Sequence, residues 1–383
     1  MLDKALIGTR SYWGWLLCLL LLMAVGGLCY LRQLQEGLGI TGLSRDVSWG
    51  LYIGQFTFFV GVAASAVMVV LPYYLHDVKA FGKITIIGEF LAVAAVVMCM
   101  LFIVVDMGQP TRVLNVLLHP TPHSLMFWDM LSLSGYLLIN LVVGWFMLQA
   151  EATGIPAPGW IKPVVLLSIP WAISIHTVTA FLYSGLAGRS LWFTAVLAPR
   201  FLASAFASGP ALLILLCLVL RRLTSFDAGR EAIAKLGTIV AYAMAANLFL
   251  LLVELFTALY SGMPEHVEGF SRLFLGETGS RGLAPLMWLA LAGAVIALVL
   301  LLVPGWRRNE RLLSVAALLT FGALWAEKGV GLIVGGFDPS PLGRTTAYAP
   351  TFPEGAIVVA IWATGALLVT LCYKIVVAVR AAD

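Results

Sequence analysis

Side chains that can exchange protons occur inside strongly apolar stretches of this 383-residue sequence. Asp129, Ser132, Tyr136 and Asn140 are spaced by three, four and four residues, which places all four on one face of a helix. That face is about 16 Å long at a rise of about 1.5 Å per residue. Carboxyl and hydroxyl groups in such a row can relay protons, and an amide group can hydrogen-bond to them. The row is therefore a candidate proton pathway.

Two further apolar stretches carry titratable groups. His176, Thr179 and Tyr183 share one helix face, and Glu254 lies in a later stretch. An ionisable side chain at the centre of hydrocarbon costs at least about 2.5–3.5 kcal/mol, so each one needs a reason. We predict His176 and Glu254 as a catalytic acid–base pair. The alternative, which stays open, is that these groups only join helices through hydrogen bonds and ion pairs.

Three more charged residues lie within apolar stretches. We expect Lys328 to pair with its neighbour Glu327 or with Glu254. Glu89 stands apart from them, either as a lone partner for another residue or as part of a proton route. The predicted proton pathway comprises Glu89, Ser132, Tyr136, Asn140, Glu327 and Lys328.

A charged cluster separates two apolar runs between residues 104 and 130. Asp106, Arg112 and His119 are expected to cap helix ends and pair with one another, and His123 directly precedes the next apolar run. We predict that Asp106, Arg112 and His123 form a rim at the membrane surface where a partner docks.

The elements that must position these residues are membrane-spanning helices. Hydrophobic residues make up 61% of the chain and charged residues 11%, against about 25% charged in globular domains. A run of about 20 apolar residues crosses about 30 Å of hydrocarbon. The sequence thus predicts an all-α integral membrane protein. The ten predicted spans are residues 12–31, 50–74, 84–105, 125–148, 161–183, 199–220, 235–260, 284–303, 311–334 and 354–377.

Basic residues are distributed unevenly between the two ends of these spans. With both termini in the cytoplasm, fourteen Lys and Arg residues lie inside and eight outside, the latter including Arg200, Arg281 and Arg344. We therefore predict a cytoplasmic (inner) membrane protein with both termini cytoplasmic. The net charge of +4 reflects this bias and requires no nucleic-acid partner. The loops predicted outside are long and suggest a docking surface: 32–49, 106–124, 184–198, 261–283 and 335–353.

Two short repeats indicate the internal organisation. Gly108-Gln109-Pro110 returns as Gly262-Met263-Pro264, and Trp171-Ala172 returns as Trp325-Ala326, each 154 residues later. The offset maps span 3 onto span 7 and span 5 onto span 9. It predicts two parallel four-helix bundles, spans 2–5 and 6–9, flanked by spans 1 and 10. The single membrane domain would divide into residues 1–48, 49–198, 199–353 and 354–383.

The sequence carries no pattern for a resident metal cofactor. None of its five cysteines is in a C-x-x-C spacing, and His176 is the one histidine of five that lies well inside a span. Transmembrane haem is usually held by two axial side chains. We expect no haem or iron–sulfur cluster in this chain, so any electron carrier must be an organic molecule that dissolves in lipid.

Two segments resemble signature segments of the NrfD/polysulfide reductase membrane-subunit family. The first begins at Trp49 and reads WGLYI, continuing as GQFTFFVGVAASA. The second contains Asp106-x-Gly-x-Pro-x-Arg112 and then Pro120-x-Pro-x-Ser124-x-x-Phe-Trp128. The resemblance extends over essentially all ten spans. The runs SRDVSWGLYI, VVMCMLF, LHPTPHSLMFWDM and SIHTVTAFLY are most similar to the DsrP branch, whose complexes are linked to dissimilatory sulfite reduction.

The resemblance implies a function and a set of partners. Family members bind a quinol or quinone near the outer face without haem, beside a ferredoxin-like iron–sulfur subunit. It implies an oxidoreductase subunit, inactive alone, that exchanges electrons between menaquinol or menaquinone and a periplasmic iron–sulfur subunit in dissimilatory sulfur metabolism. A multihaem cytochrome c and further membrane and cytoplasmic redox subunits would complete the complex.

The resemblance also suggests where the quinone head group binds. Related proteins have His or Asn on the first helix of the first bundle, where this sequence offers Tyr52 and Gln55. The predicted quinone-binding residues are Tyr52, Gln55, Asp129 and Tyr183. The main alternative is a proton- or ion-translocating module, or a membrane anchor, without its own quinone site. A solute transporter is a third possibility, although the charges are displaced from the midplane where transporters bind substrate.

Overall fold

Helices dominate the computed structural model, which describes residues 2–276, 283–338, 340–342 and 348–381. Ten helices in these residues are long and apolar enough to cross a membrane, and no strand occurs among them. They confirm the ten predicted spans. Arg281 and Arg344 lie outside the described residues. Spans 1 to 10 are Arg10–Glu36, Leu51–Leu75, Thr85–Asp106, Leu125–Thr153, Ile161–Ser184, Leu197–Leu223, Arg230–Ser261, Leu283–Leu302, Glu310–Gly335 and Phe352–Arg380.

Local sequence signals set several span ends. The side chains of Asn309 and Thr351 accept backbone N–H groups at the starts of spans 9 and 10, as N-cap residues do. Spans 4 and 7 end at Gly154 and Gly262, whose φ angles are +67° and +62°. Glycine adopts this left-handed conformation without the steric penalty of a Cβ atom. These residues therefore define where spans 9 and 10 begin and where spans 4 and 7 end.

Three irregular segments depart from the simple pattern of spans. Span 2 is interrupted between helices Leu51–Ala63 and Val67–Leu75, and span 9 contains a π-helical stretch at Trp325–Gly331. The region 261–283, predicted as a loop, contains a helix at Pro264–Leu275. Its proline lies in the first helical turn, where the missing N–H costs nothing. Residues 277–282 of that region lie outside the described chain.

The spans pack in a sequential pattern. Span 1 packs on span 10, which also contacts span 3. Within spans 2–5, and again within spans 6–9, neighbours in sequence contact each other and the last span returns to the first. Span 2 also packs on spans 6 and 9, where a Cβ atom on Gly54 would lie 1.8 Å from the carbonyl oxygen of Gly329. The division into two bundles and into four sequence segments stays a prediction.

The helices have two distinct ends, which we call the terminal face and the loop face. The terminal face carries residues 2–9, 76–84, 154–160, 224–229, 303–309 and 381. There the Lys4 ammonium donates to the Ala378 carbonyl over 2.8 Å. The loop face carries residues 37–50, 107–124, 185–196 and 348–351, and there Thr351 donates to the Ile40 carbonyl over 2.9 Å. Which face lies outside the cell stays a prediction.

Candidate functional site

The polar face of span 5 is fully buried and joins three spans. Thr179 Oγ1 donates to the Asp129 carboxylate of span 4 over 2.6 Å. One turn further, the Tyr183 hydroxyl and the Thr57 hydroxyl of span 2 form a hydrogen bond. Span 5 continues eight residues beyond His176 to Ser184, so His176 lies about 12 Å along the helix from the loop face.

His176 is the unusual member of this face. Its side chain has no exposure to solvent, and neither ring nitrogen has a hydrogen-bond partner within the described residues. The nearest aromatic neighbour is Phe206 of span 6, with ring centroids 6.5 Å apart. Buried polar side chains are nearly always hydrogen-bonded, so an unpaired imidazole requires an explanation. One nitrogen can donate while the other accepts, which suits contact with a carbonyl or hydroxyl group of a ligand.

An aromatic cluster covers the loop-face end of span 5. The ring of Tyr183 contacts Trp49 and Trp192, with centroids 5.7 and 5.3 Å away. The Trp192 indole donates to the Leu332 carbonyl over 2.7 Å, which fixes it against span 9. Phe337 packs on both tryptophans. This cover keeps the span 5 face away from the loop-face solvent.

The row on span 4 is buried as its spacing predicts. Ser132 donates to the Asp129 carbonyl over 2.9 Å, and Asn140 donates to the Tyr136 carbonyl over 2.8 Å. The Tyr136 hydroxyl donates to the Ala63 carbonyl, at the interruption of span 2, over 3.3 Å. These bonds are made mainly to backbone carbonyls, so the side chains do not yet form one connected hydrogen-bonded chain.

Glu89 of span 3 lies beside the next turn of that row. A Cβ atom on Gly144, four residues beyond Asn140, would lie 3.6 Å from Glu89 Oε2. This oxygen has no hydrogen-bond partner within the described chain, and Glu89 is 2% exposed. The absence of a side chain at Gly144 therefore leaves room for the Glu89 carboxyl group next to the row.

Tyr52 and Gln55 are held by neighbours different from those of the span 5 face. The Tyr52 hydroxyl donates to Gln33 Oε1 of span 1 over 2.8 Å. Gln55 Oε1 accepts from the indoles of Trp325 and Trp362, over 2.9 and 3.1 Å, and Gln55 Nε2 is unpaired. Among the four predicted quinone-binding residues, only Asp129 and Tyr183 share contacts with the face that contains His176.

Glu254 belongs to a buried ion cluster, which we call the Arg200 cluster: Arg200, Glu254 and Glu327. Arg200 of span 6 bonds both carboxylates, from spans 7 and 9. Span 6 begins at Leu197, so Arg200, predicted among the outer residues, lies inside a helix. Since Glu254 bonds Arg200 and His176 bonds neither, the structure does not bring the predicted acid–base pair into contact.

The expected pairing of Lys328 is wrong. Its ammonium has no hydrogen-bond partner in the described residues and lies 4.0 Å from the ring centroid of Phe201, a cation–π contact. Consecutive residues of a helix, including those of the π-helical stretch Trp325–Gly331, point in clearly different directions around its axis. Hence Glu327 faces Arg200 and Asn247, whereas Lys328 faces the contact between spans 9, 6 and 2, near Gly61.

The expected pairing at the rim is also wrong. No ion pair joins Asp106, Arg112 and His119 in the part of the chain that the structure describes. Asp106 ends span 3 with one buried, unpaired oxygen, whereas Arg112, His119 and His123 are exposed in the following segment. The Asp106 carboxyl group is thus partly buried, whereas Arg112, His119 and His123 are exposed.

Sequence reasoning missed Glu354, which anchors the loop face. This buried carboxylate accepts from the Tyr348 hydroxyl and from the backbone N–H groups of Gly42 and Leu51, over 3.0 and 3.3 Å. Burial and then the Glu354 charge raise the pKa of Tyr348, so its hydroxyl stays protonated and donates. The available signal was the position of Glu354 in the first turn of span 10, where the positive end of the helix dipole stabilises a carboxylate.

Three cavities formed by the described residues lie away from the span 5 face. One of about 580 Å³ opens at the terminal face, lined among others by Lys83, Glu151, Asp227 and Arg380. Two others, of about 20 and 10 Å³, adjoin the Arg200 cluster and are water-sized. The candidate site among spans 2 to 5 is thus defined by unpaired polar groups, and by none of these cavities.

Ten apolar helices, most of which carry buried titratable groups, define a multi-pass integral membrane protein. Residues 39–331 match the family model described as polysulphide reductase, NrfD, and the chain belongs to this family. It is 29% identical to a putative membrane subunit of a dimethyl sulfoxide reductase from Halobacterium salinarum, with 93% of this chain and 89% of that protein covered.

Two other relatives are named for quinone chemistry. An Hdr-like menaquinol oxidoreductase integral membrane subunit of Archaeoglobus fulgidus is 25% identical, with 86% of this chain and 80% of that protein covered. A menaquinone reductase integral membrane subunit of Nitratidesulfovibrio vulgaris is 24% identical, with coverages of 90% and 86%. These relatives are membrane subunits of oxidoreductase complexes, which supports a quinone-interacting role for this chain.

Proposed function

We propose that this chain is the haem-free subunit that exchanges electrons between menaquinol or menaquinone and an iron–sulfur partner in a respiratory complex. The observation that carries the proposal is His176, a fully buried imidazole with two unpaired nitrogens beside the Asp129–Thr179 hydrogen bond. The names of the Archaeoglobus and Nitratidesulfovibrio relatives supply the quinone class. A DsrP-type role in dissimilatory sulfur metabolism rests on the sequence resemblance.

The residues of the span 5 face suit the chemistry of a quinol. Oxidation of a bound quinol supplies two electrons and two protons, so the protein must provide proton acceptors next to the hydroxyl groups. His176 can accept a proton at a free ring nitrogen. Asp129, held by Thr179, can accept a second, and Tyr183 can position the head group. Glu254 is committed to Arg200, so we assign it no contact with the quinol.

A proton route along span 4 is part of the proposal. The row from Asp129 to Asn140 leads toward the terminal face and ends beside Glu89. Tyr136 and Ser132 can each donate and accept, so small side-chain rotations would connect the row. Glu327 and Lys328 belong to a different set of contacts and would take part only in a second route.

The loop face is the proposed docking side for a periplasmic ferredoxin-like iron–sulfur subunit. Its rim contains the exposed groups of Arg112 and His123, and Asp106, with one buried oxygen, ends span 3 at the same face. His176 is nearer to this face than to the terminal face, which shortens the path for electrons. The multihaem cytochrome c and the further membrane and cytoplasmic subunits would complete the complex, with both termini of this chain in the cytoplasm.

Binding of a menaquinone analogue to the purified complex tests the proposal. We expect His176→Ala to weaken binding about 10-fold, the value of one lost hydrogen bond in a buried site. His119→Ala removes an exposed histidine and is the matched control. Glu254→Gln should leave binding unchanged. Unchanged binding in His176→Ala, with the fold intact, would move the site away from span 5.

The Arg200 cluster favours one alternative, a proton- or ion-translocating module. Arg200, Glu254 and Glu327 are in contact, and Lys328, next to Glu327 in sequence, has no hydrogen-bond partner within the described residues. Loss or gain of one proton by Lys328 would change the net charge of these four groups. In this alternative Lys328→Met abolishes proton movement in proteoliposomes while His176→Ala has no effect. The proposed quinone function predicts instead that His176→Ala weakens quinone binding and that Lys328→Met leaves it unchanged.

A further inference from the structure

Most of the net charge of the protein is concentrated in one region of the terminal face. Seven basic and three acidic side chains from the ends of spans 6, 7 and 9 and the turn before span 9 give a local net charge of +4, equal to that of the whole chain. We call this region the basic patch: Arg221, Arg222, Arg230, Lys235, Arg307, Arg308 and Arg311, with Asp227, Glu231 and Glu310.

The acidic residues neutralise only part of the patch. Glu310 bonds Arg221 and lies 3.8 Å from Arg230, and Glu231 pairs with Lys235 over 2.8 Å. In contrast, the guanidinium groups of three arginines have no hydrogen-bond or ion-pair partner within the described chain. They belong to Arg222, Arg308 and Arg311, and all three residues are exposed.

An exposed apolar strip continues from the patch along span 9. Arg311, Val315 and Leu318 are spaced by four and three residues and so share one helix face. Val315 is 48% and Leu318 62% exposed. At the end of the neighbouring span 8, Leu302 is 50% exposed, and Trp306 of the connecting turn is 45% exposed. Free cations therefore adjoin an aliphatic surface that points toward the bilayer.

We infer that the basic patch binds the phosphate head group of an anionic phospholipid whose acyl chain lies along the Val315 and Leu318 strip. Guanidinium groups bind phosphate oxygens through paired N–H donors. Each basic side chain near a membrane surface adds about tenfold or less to the affinity for anionic lipid. A free phosphate ion would use the arginines but not the strip. The inference does not depend on the quinone function.

Native mass spectrometry of the purified complex in detergent tests the lipid site. The probes are tetraoleoyl cardiolipin and dioleoyl phosphatidylcholine, which carry the same acyl chains. We expect tight cardiolipin binding that falls about 30-fold in Arg308→Gln/Arg311→Gln, from the loss of two cations. The control is Arg10→Gln/Lys162→Gln, which removes two exposed basic residues of the same face outside the patch. It should keep wild-type affinity.

The other outcomes overturn the inference. Equal cardiolipin affinity in the two double variants would show that the patch is not the site. Phosphatidylcholine bound as tightly as cardiolipin would show that head-group charge is not recognised. Displacement of cardiolipin by 10 mM inorganic phosphate would indicate a simple anion site. Loss of a co-purifying subunit, with lipid binding unchanged, would assign the patch to a protein partner.

Discussion

The Arg200 cluster supports a quantitative prediction about stability. Arg200→Met removes the cation and leaves the carboxylates of Glu254 and Glu327 without their shared partner. All three side chains are at most 11% exposed, so bulk water has little access to the carboxylates after the cation is removed. Removing one member of a buried ion pair typically costs about 3–5 kcal/mol. We expect a loss of this size in the free energy of unfolding.

The corresponding change in melting temperature follows from the chain length. At about 2.1 cal/mol/K per residue, 383 residues have an unfolding entropy of about 0.8 kcal/mol/K. A loss of about 3–5 kcal/mol then lowers Tm by about 4–6 °C. Thermal unfolding in nanodiscs, followed by tryptophan fluorescence, measures this shift. Arg10→Met, at an exposed position, should change Tm by less than about 1 °C.

A triple variant separates charge from packing. Arg200→Met/Glu254→Gln/Glu327→Gln has no buried charge left in the cluster, so it should recover most of the lost stability. The electrostatic reasoning fails if Arg200→Met lowers Tm by less than about 1 °C, or if the triple variant is no more stable than Arg200→Met alone.

Two further predictions concern spans 2 and 3. Gly54→Ala should prevent the approach of span 2 to the Gly329 carbonyl and destabilise the protein by about 1–3 kcal/mol in the same unfolding assay. The control is Gly27→Ala, at a position where nothing lies within 4 Å, and it should be neutral or stabilising. Glu89→Gln should slow quinol oxidation by the complex about 100-fold without changing quinone binding. The control Glu36→Gln, at an exposed site, should have normal turnover. Normal turnover in Glu89→Gln would exclude Glu89 from the proton route.

The positions of the spans could be read from the sequence because lipid imposes one requirement on every crossing segment. Each span needs about 20 apolar residues and must satisfy its own backbone hydrogen bonds. The helix at Pro264–Leu275 was missed although its signals are present: proline in the first turn, glycine at the end, and apolar residues Val267, Phe270 and Leu273 at a spacing of three.

The contacts between spans could not be read in the same way. Spacing places His176, Thr179 and Tyr183 on one face, and the structure joins that face to spans 2 and 4. The spacing of residues on single helices does not show that spans 6, 7 and 9 meet. From the spacing alone, Lys328 was therefore the only cation that could be predicted to pair with Glu254. Spans 7 and 9 carry two carboxylates, Glu254 and Glu327, but one lysine, so a second cation was needed to balance the charge. Arg200, three residues into span 6, could have been predicted as that cation.

The proposed position of the quinone beside His176 can be mapped by photolabelling. A photoreactive menaquinone analogue would be bound to the complex, irradiated, and its attachment sites mapped by mass spectrometry. We predict labels in residues 125–153 and 161–184, competed by unmodified menaquinone and reduced in His176→Ala. Competed labels confined to spans 6, 7 and 9 would place the quinone at the Arg200 cluster and exclude a site beside His176.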